Sequence, residues 1–143
     1  MFTGSSMNWE IITGLTLFFA GTALMIYGMS RPNRIEVNGD NLVIRGSYGQ
    51  TVSIDEIQSC EMLEKMPEIT LRTNGIGLPN VRIGHFRVSG IGKCRLYINL
   101  RYSPFVHVTT ASGKHIFFNT KDPEVTAGLF EAISDSIKPA HHE

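Results

Sequence analysis

An uncharged apolar run near the N-terminus constrains the fold of this chain most. The run extends from Ile11 to Met29, and as a helix it would rise about 28 Å, close to the ~30 Å hydrocarbon thickness of a bilayer. Trp9 precedes the run and Tyr27 lies near its end, and rings of this kind favour the headgroup level of a membrane. We therefore predict one transmembrane helix over 11–29, with the rest of the chain held against a membrane surface.

The charges that flank this run predict its orientation. Residues 1–10 contain no Lys or Arg, whereas Arg31 and Arg34 follow the run. Because cytoplasmic flanks of membrane helices carry the excess of Lys and Arg, we expect a single-pass protein of the cell membrane, with 1–10 outside and the C-terminal domain in the cytoplasm. A cleaved signal peptide would need a basic N-terminal region, and a buried core helix would usually be shorter. Both remain as alternatives.

Three glycines in the run recur every seven residues, at Gly14, Gly21 and Gly28. This spacing places them along one face of a helix. Glycines on one face let two helix backbones approach closely, so they predict helix packing and a homo-oligomer. The alternative is that glycine is simply common in membrane helices.

The charges of the remaining chain are segregated, although the net charge is zero. Between Ile69 and Lys121 there is no Asp or Glu, and eight basic residues lie in that stretch. The other five basic residues and all thirteen acidic residues lie elsewhere. Such an arrangement predicts a directed electric field at the protein surface.

Alternation of apolar and polar residues predicts strands over most of the chain after the run. We expect a linker at 30–33, one domain at 34–138 and a disordered tail at 139–143. The turn Asn38-Gly39-Asp40 predicts the first hairpin, and Asp122 and Pro123 predict the start of a C-terminal helix that ends at Ile137. The predicted strands are Arg34–Asn38, Asn41–Arg45, Gln50–Ile54, Ile57–Leu63, Ile69–Thr73, Lys93–Arg101, Phe105–Thr110 and Lys114–Asn119, with a glycine-rich tract at 75–92 in which Val81–Ile83 and Phe86–Val88 could pair.

Many short strands followed by one helix predict a mainly β fold, either a barrel or an orthogonal sandwich, capped by the helix. Several phrases, in this order, also resemble the bacterial pleckstrin-homology-like (PH-like) domains over roughly 34–137. The resemblance implies a partly open barrel of about seven antiparallel strands with a C-terminal helix, often tethered to membrane helices. The phrases are Ile54-Asp55-Glu56-Ile57, Leu71-Arg72-Thr73-Asn74-Gly75-Ile76-Gly77, Gly84-His85-Phe86 with Gly90, and Ser112-Gly113-Lys114 before Asp122-Pro123-Glu124.

The chain departs from the PH-like domains that bind phosphoinositides. In those domains the loop between the first two strands is basic, but here it is Asn38-Gly39-Asp40. An inositol-phosphate pocket at that loop is therefore not expected.

No pattern predicts catalysis, a cofactor or a metal. Gly75, Gly77 and Asn80 form only a broken dinucleotide fingerprint without a βαβ unit. His107 and His115 would share the outward face of the last hairpin, yet two histidines alone do not make a zinc site. Cys60 and Cys94 lack metal-ligand spacing and are expected to be reduced thiols, although a disulfide becomes possible if the domain lies outside. We predict that the protein is not an enzyme.

The acid-free stretch is the strongest functional signal. We expect its bases to gather on one side of the barrel and to bind an anionic partner, either the lipid of the cytoplasmic leaflet or an unidentified protein. Nucleic acid is not expected, because few aromatic residues lie among the bases. The alternatives are a solvated surface and a structural subunit whose transmembrane helix drives assembly. The predicted binding residues are Arg72, Arg82, Arg87, Lys93 and Arg95.

Overall fold

The computed structural model describes residues 2–30 and 33–137, and in the first helix it describes side chains for 9–24. The predicted linker at 30–33 and tail at 139–143 therefore fall largely outside the described residues. The chain divides into two compact units, Met1–Arg31 and Pro32–Glu143. The elements are α1 (Phe2–Ser30), β1 (Arg34–Asn38), β2 (Asn41–Arg45), β3 (Gln50–Ser53), a 3-10 turn (Ile54–Glu56), β4 (Ile57–Leu63), β5 (Ile69–Leu78), β6 (Val81–Val88), β7 (Gly92–Asn99), β8 (Phe105–Thr110), β9 (His115–Phe118) and α2 (Pro123–Ile137).

The helix predicted over 11–29 lies within α1, but the prediction that it spans a membrane needs correction. None of the helices in the described part of the chain is both long and apolar enough to cross a membrane. In α1 the hydroxyl groups of Thr13, Thr16 and Thr22 donate to the backbone carbonyl oxygen four residues earlier. The orientation and the cytoplasmic location remain predictions.

The helix-packing glycines lie in this same unit. An added Cβ at Gly14 or Gly21 would meet nothing within 4 Å. Gly28 lies in α1 beyond the residues whose surroundings are described. Self-association through this face remains a prediction.

The strands form two open sheets rather than one barrel of about seven strands. The first sheet has the order β1-β2-β3 and the second has the order β4-β8-β9-β7-β6-β5. Nine strands are therefore present in the described chain, because the glycine-rich tract forms a continuous β5–β6 hairpin. The strands are also not all antiparallel, since β7 and β9 run parallel.

The close approach of β5 and β6 explains two of the glycines in that tract. Gly75 pairs directly with Gly84. An added Cβ on Gly84, which has φ +118°, would lie 2.7 Å from the Asn74 carbonyl oxygen, and one on Gly75 would meet the Ile83 backbone. The glycines therefore let the bulged strand β5 pass close to β6.

Two apolar cores form on opposite faces of the six-stranded sheet. One core packs that sheet against the three-stranded sheet and α2, with Leu42, Phe118 and Ile133 all fully buried. The other core contains Leu96 and Phe117, also fully buried. Adjacent residues such as Phe117 and Phe118 enter different cores because side chains alternate along a strand.

The last hairpin and the last helix confirm the sequence prediction. A three-residue loop, Ala111-Ser112-Gly113, predicts that Val108 pairs with Ile116 and Val106 with Phe118, and the strands have this register. Asp122 Oδ1 accepts a hydrogen bond of 2.9 Å from the Glu124 backbone N–H at the start of α2. The helix packs against β1, β4 and β8.

The alternation of Lys93–Arg101 predicts that Arg95, Tyr97, Asn99 and Arg101 face outward, and this prediction needs one correction. Cys94, Leu96 and Ile98 are buried as expected, but Tyr97 on the opposite face is only 3 % exposed. The strand is therefore covered on both faces at this point. Sheet packing, which the alternation of one strand does not report, is the reason.

Candidate functional site

The strand register divides the five predicted binding residues between two faces. Residues paired directly across antiparallel strands share a face. Arg87 pairs with Lys93, and Arg95 pairs with His85. These four residues, His85, Arg87, Lys93 and Arg95, lie on one face of the β6–β7 hairpin and are called the basic face below.

Arg72 and Arg82 lie on the opposite face of the sheet. Arg72 pairs with Phe86, which is buried in the core that contains Phe117. Arg82 Nη1 donates to the carbonyl oxygens of Leu78, at 2.6 Å, and of Val81, at 2.9 Å. Arg82 therefore stabilises the β5–β6 turn, and neither arginine belongs to the basic face.

The basic face is continuous with an apolar surface of the same hairpin. Further along the strands Ile83 pairs with Tyr97, and both are 3 % exposed. We call this the covered end of the hairpin, because the three-stranded sheet packs on it. The basic face is the open end, where Arg87 and Lys93 are exposed and His85 and Arg95 are half-buried.

Hydrogen bonds from the loop before β3 mark the boundary between the two ends. Tyr97 Oη donates to the Tyr48 carbonyl oxygen at 2.6 Å and accepts from Gln50 Nε2 at 3.0 Å. Tyr48 Oη donates to Asn74 Oδ1 at 3.0 Å, and the Tyr48 ring meets His85 edge to face, with centroids 6.1 Å apart. Tyr48 itself has φ 58°. The part of the hairpin that the three-stranded sheet covers therefore ends beside His85.

A cleft of about 300 Å³ opens next to the basic face. It lies where β7 and β9, which pair in parallel from Arg95 and Ile116 onward, separate toward their N-termini. Gly113 and Lys114 of the β8–β9 turn form its far side. Its charged and polar lining consists of Gln50, His85, Lys93, Arg95, Lys114 and His115.

The electrostatics of the cleft are those of an uncompensated positive site. Burial and then the charge of Arg95 lower the pKa of His85 below its usual value of 6.5. In the described part of the chain the one salt bridge joins Arg45 to Glu36, at 2.9 Å, and neither of these residues lines the cleft. No carboxylate lines the cleft among the described residues. An anion is therefore the complementary ligand.

The two histidines predicted on the last hairpin interact with each other. His107 Nε2 and His115 Nδ1 are 3.0 Å apart, and the His107 ring stacks on Phe117 with centroids 4.2 Å apart. Burial first, and then His115, lower the pKa of His107, while Glu61 opposes the shift. Within the described chain no three metal-ligating side chains gather.

Neither cysteine has the character of a nucleophile. Burial raises the pKa of Cys60 to about 12 and that of Cys94 to about 11. Both thiols are therefore protonated at neutral pH, and a thiol must ionise to attack. Both residues are free cysteines.

Sequence reasoning missed His85, Lys114 and His115. His85 carries a signal, because strict alternation along β6 places it on the face of Arg87. No sequence signal indicates Lys114 or His115, since only the parallel pairing of β7 with β9 brings the β8–β9 turn beside Lys93.

Comparison with known proteins identifies the family of the domain. A family model described as a bacterial PH domain matches residues 33–127, which cover every strand and the start of α2. No curated protein and no solved structure matches the chain. The two open sheets and the C-terminal helix fit a PH-like fold, and PH domains are typically binding modules without catalytic activity. The chain belongs to the bacterial PH domain family.

Proposed function

We propose that this bacterial PH domain is a binding module that docks on an anionic lipid surface through the basic face. One observation carries the proposal. Arg87 and Lys93 are directly opposite each other in the sheet and both are exposed. Like charges in opposite positions destabilise a sheet, so an anionic partner would offset a cost that the fold alone does not require.

A lipid surface suits the arrangement better than a small ligand does. The basic face is an open region of sheet that adjoins the covered end. Each basic residue close to an anionic leaflet contributes about 1 kcal/mol. Arg87, Lys93 and Arg95 together would give roughly 3 kcal/mol, or about 150-fold in binding.

The proposed docking uses a different surface from the one that the family resemblance suggests. The β1–β2 loop contains Gly39 and Asp40 between the strands and offers no base. The acid-free chain from β5 to β9 supplies the basic face and most of the lining of the cleft instead.

Co-sedimentation of the full chain with vesicles tests the proposal. Vesicles of phosphatidylcholine alone are compared with vesicles that contain phosphatidylglycerol, and we expect stronger binding to the anionic vesicles, weakened by salt. Arg87→Gln with Lys93→Gln should reduce this preference roughly 30-fold, because two contacts of about 1 kcal/mol are lost.

The matched control removes the same charge elsewhere. Arg72→Gln with Arg101→Gln changes two exposed bases outside the basic face and should leave the preference within about twofold, because neither base is near the lipid. Equal losses in both double variants, or no preference for anionic vesicles at low salt, would contradict docking through the basic face.

A further inference from the structure

The cleft beside the basic face has the geometry of a site for one anionic group rather than for a surface. Pairing of β7 with β9 begins at Arg95 and Ile116. Lys93 lies two residues before Arg95, and Lys114 lies two residues before Ile116. The two chain segments have separated here, so the lysines do not continue the pairing. The gap therefore holds one lysine on each side.

The turn that carries Lys114 is held firmly by its backbone. The Lys114 N–H donates to Thr110 Oγ1 at 3.0 Å, and the Lys114 carbonyl accepts from the Thr110 N–H at 2.9 Å. The Lys114 side chain is exposed. Its ammonium group can therefore reach a ligand without disturbing the hairpin.

The remaining donors surround the same gap. Arg95 and His85 approach from the basic face, Gln50 from β3, and His115 from the start of β9. Hydrogen bonds in which the donor is charged are about twice as strong as neutral ones. Three permanent cations and two imidazoles without a carboxylate are complementary to a group that carries two negative charges and several acceptor oxygens.

We infer that the cleft binds a phosphate monoester group. This inference rests on the proposed docking to lipid and names the headgroup that the docked domain would select. A phosphodiester carries one negative charge, whereas a phosphate monoester carries about −1.5 to −2 near neutral pH and has three acceptor oxygens. Lys93 and Lys114 would contact the phosphate from opposite sides of the gap. Arg95 would contact it from the end of the gap, where β7 and β9 begin to pair.

The test compares two anionic lipids at equal surface charge. The full chain is sedimented with phosphatidylcholine vesicles that contain either phosphatidate, a monoester, or phosphatidylglycerol, a diester, in amounts that match the measured vesicle charge. We expect about tenfold tighter binding to phosphatidate, the equivalent of one charge-assisted hydrogen bond. Since α1 is the same in every sample, its contribution cancels in this ratio.

Lys114→Gln should abolish the tenfold preference for phosphatidate. Lys121→Gln, which removes one exposed lysine outside the cleft, should leave it unchanged. Inorganic phosphate is the soluble probe, and it should shift the backbone NMR signals of Lys93 and Lys114 and compete with phosphatidate.

The outcomes separate the two proposals. Equal binding to both anionic lipids, above that to neutral vesicles, would overturn the monoester site and leave the docking proposal standing. Absence of binding to either lipid, with phosphate still shifting Lys93 and Lys114, would overturn docking and support the site for a soluble phosphate monoester. A phosphatidate preference that survives Lys114→Gln would overturn the cleft as its cause.

Discussion

The covered and open ends of the β6–β7 hairpin differ in their side chains and in whether the three-stranded sheet packs on them. Both ends have the same register and the same buried opposite face. At the covered end Ile83 and Tyr97 are dry beneath the three-stranded sheet, whereas at the open end Arg87 and Lys93 face solvent. The three-stranded sheet packs on the covered end and leaves the open end exposed, so the residues of the open end are free to serve binding rather than folding.

This difference predicts that different residues of the hairpin determine the stability of the fold and the binding of anions. Residues of the covered end should govern the free energy of unfolding, and those of the open end should govern affinity for anions. Each prediction below would strengthen or break that separation.

The largest expected effect comes from a cavity at the covered end. Ile83→Ala should lower the free energy of unfolding by about 2–5 kcal/mol, because Ile83 is almost fully buried. Arg87→Ala, four residues along the same face, should change it by less than about 0.5 kcal/mol. Urea unfolding followed by near-UV circular dichroism measures both variants. Comparable losses would show that the open end also supports the fold.

The boundary between the ends should give an intermediate effect. Tyr97→Phe removes the hydroxyl that hydrogen-bonds to the Tyr48 carbonyl oxygen and to Gln50 Nε2. It should lower the free energy of unfolding by about 1–3 kcal/mol, because these partly buried groups lose a hydrogen-bond partner. Tyr102→Phe controls for loss of a hydroxyl, because Tyr102 is held by Asn119 through its backbone carbonyl. Equal effects of the two variants would argue against a fixed boundary.

The smallest effect concerns the proton of His85 at the open end. Burial and Arg95 lower its pKa, so Arg95→Gln should raise the pKa part of the way toward 6.5. A bound anion should also raise it, and by linkage the protonated imidazole binds the anion more tightly. Sulfate affinity should therefore increase as the pH falls below about 6.5, since sulfate keeps its charge in that range. NMR titration of His85 in the full chain, with and without sulfate, measures these shifts. A pH-independent sulfate affinity would exclude His85 from the site.

The sequence predicts the local parts of this picture and not the contacts between distant strands. Alternation and turn residues predict the last hairpin register and the start of α2, because both are set by neighbouring residues. Alternation along β6 alone separates Arg82 from Arg87, whereas the face of Arg72 depends on the bulges in β5, which the glycines only hint at. The burial of Tyr97 and the approach of Lys114 depend on the packing of two sheets and on a parallel pair.

The central claim is that the open end, and not the covered end, meets the anionic partner. Backbone NMR of the full chain in neutral and in anionic bicelles tests it most directly, residue by residue. We predict that added phosphatidylglycerol shifts the signals of Arg87, Lys93 and Arg95, leaves those of Arg72 and Arg82 in place, and reverses in high salt. Shifts centred on Arg72 and Arg82, or spread evenly over both ends of the hairpin, would contradict the account.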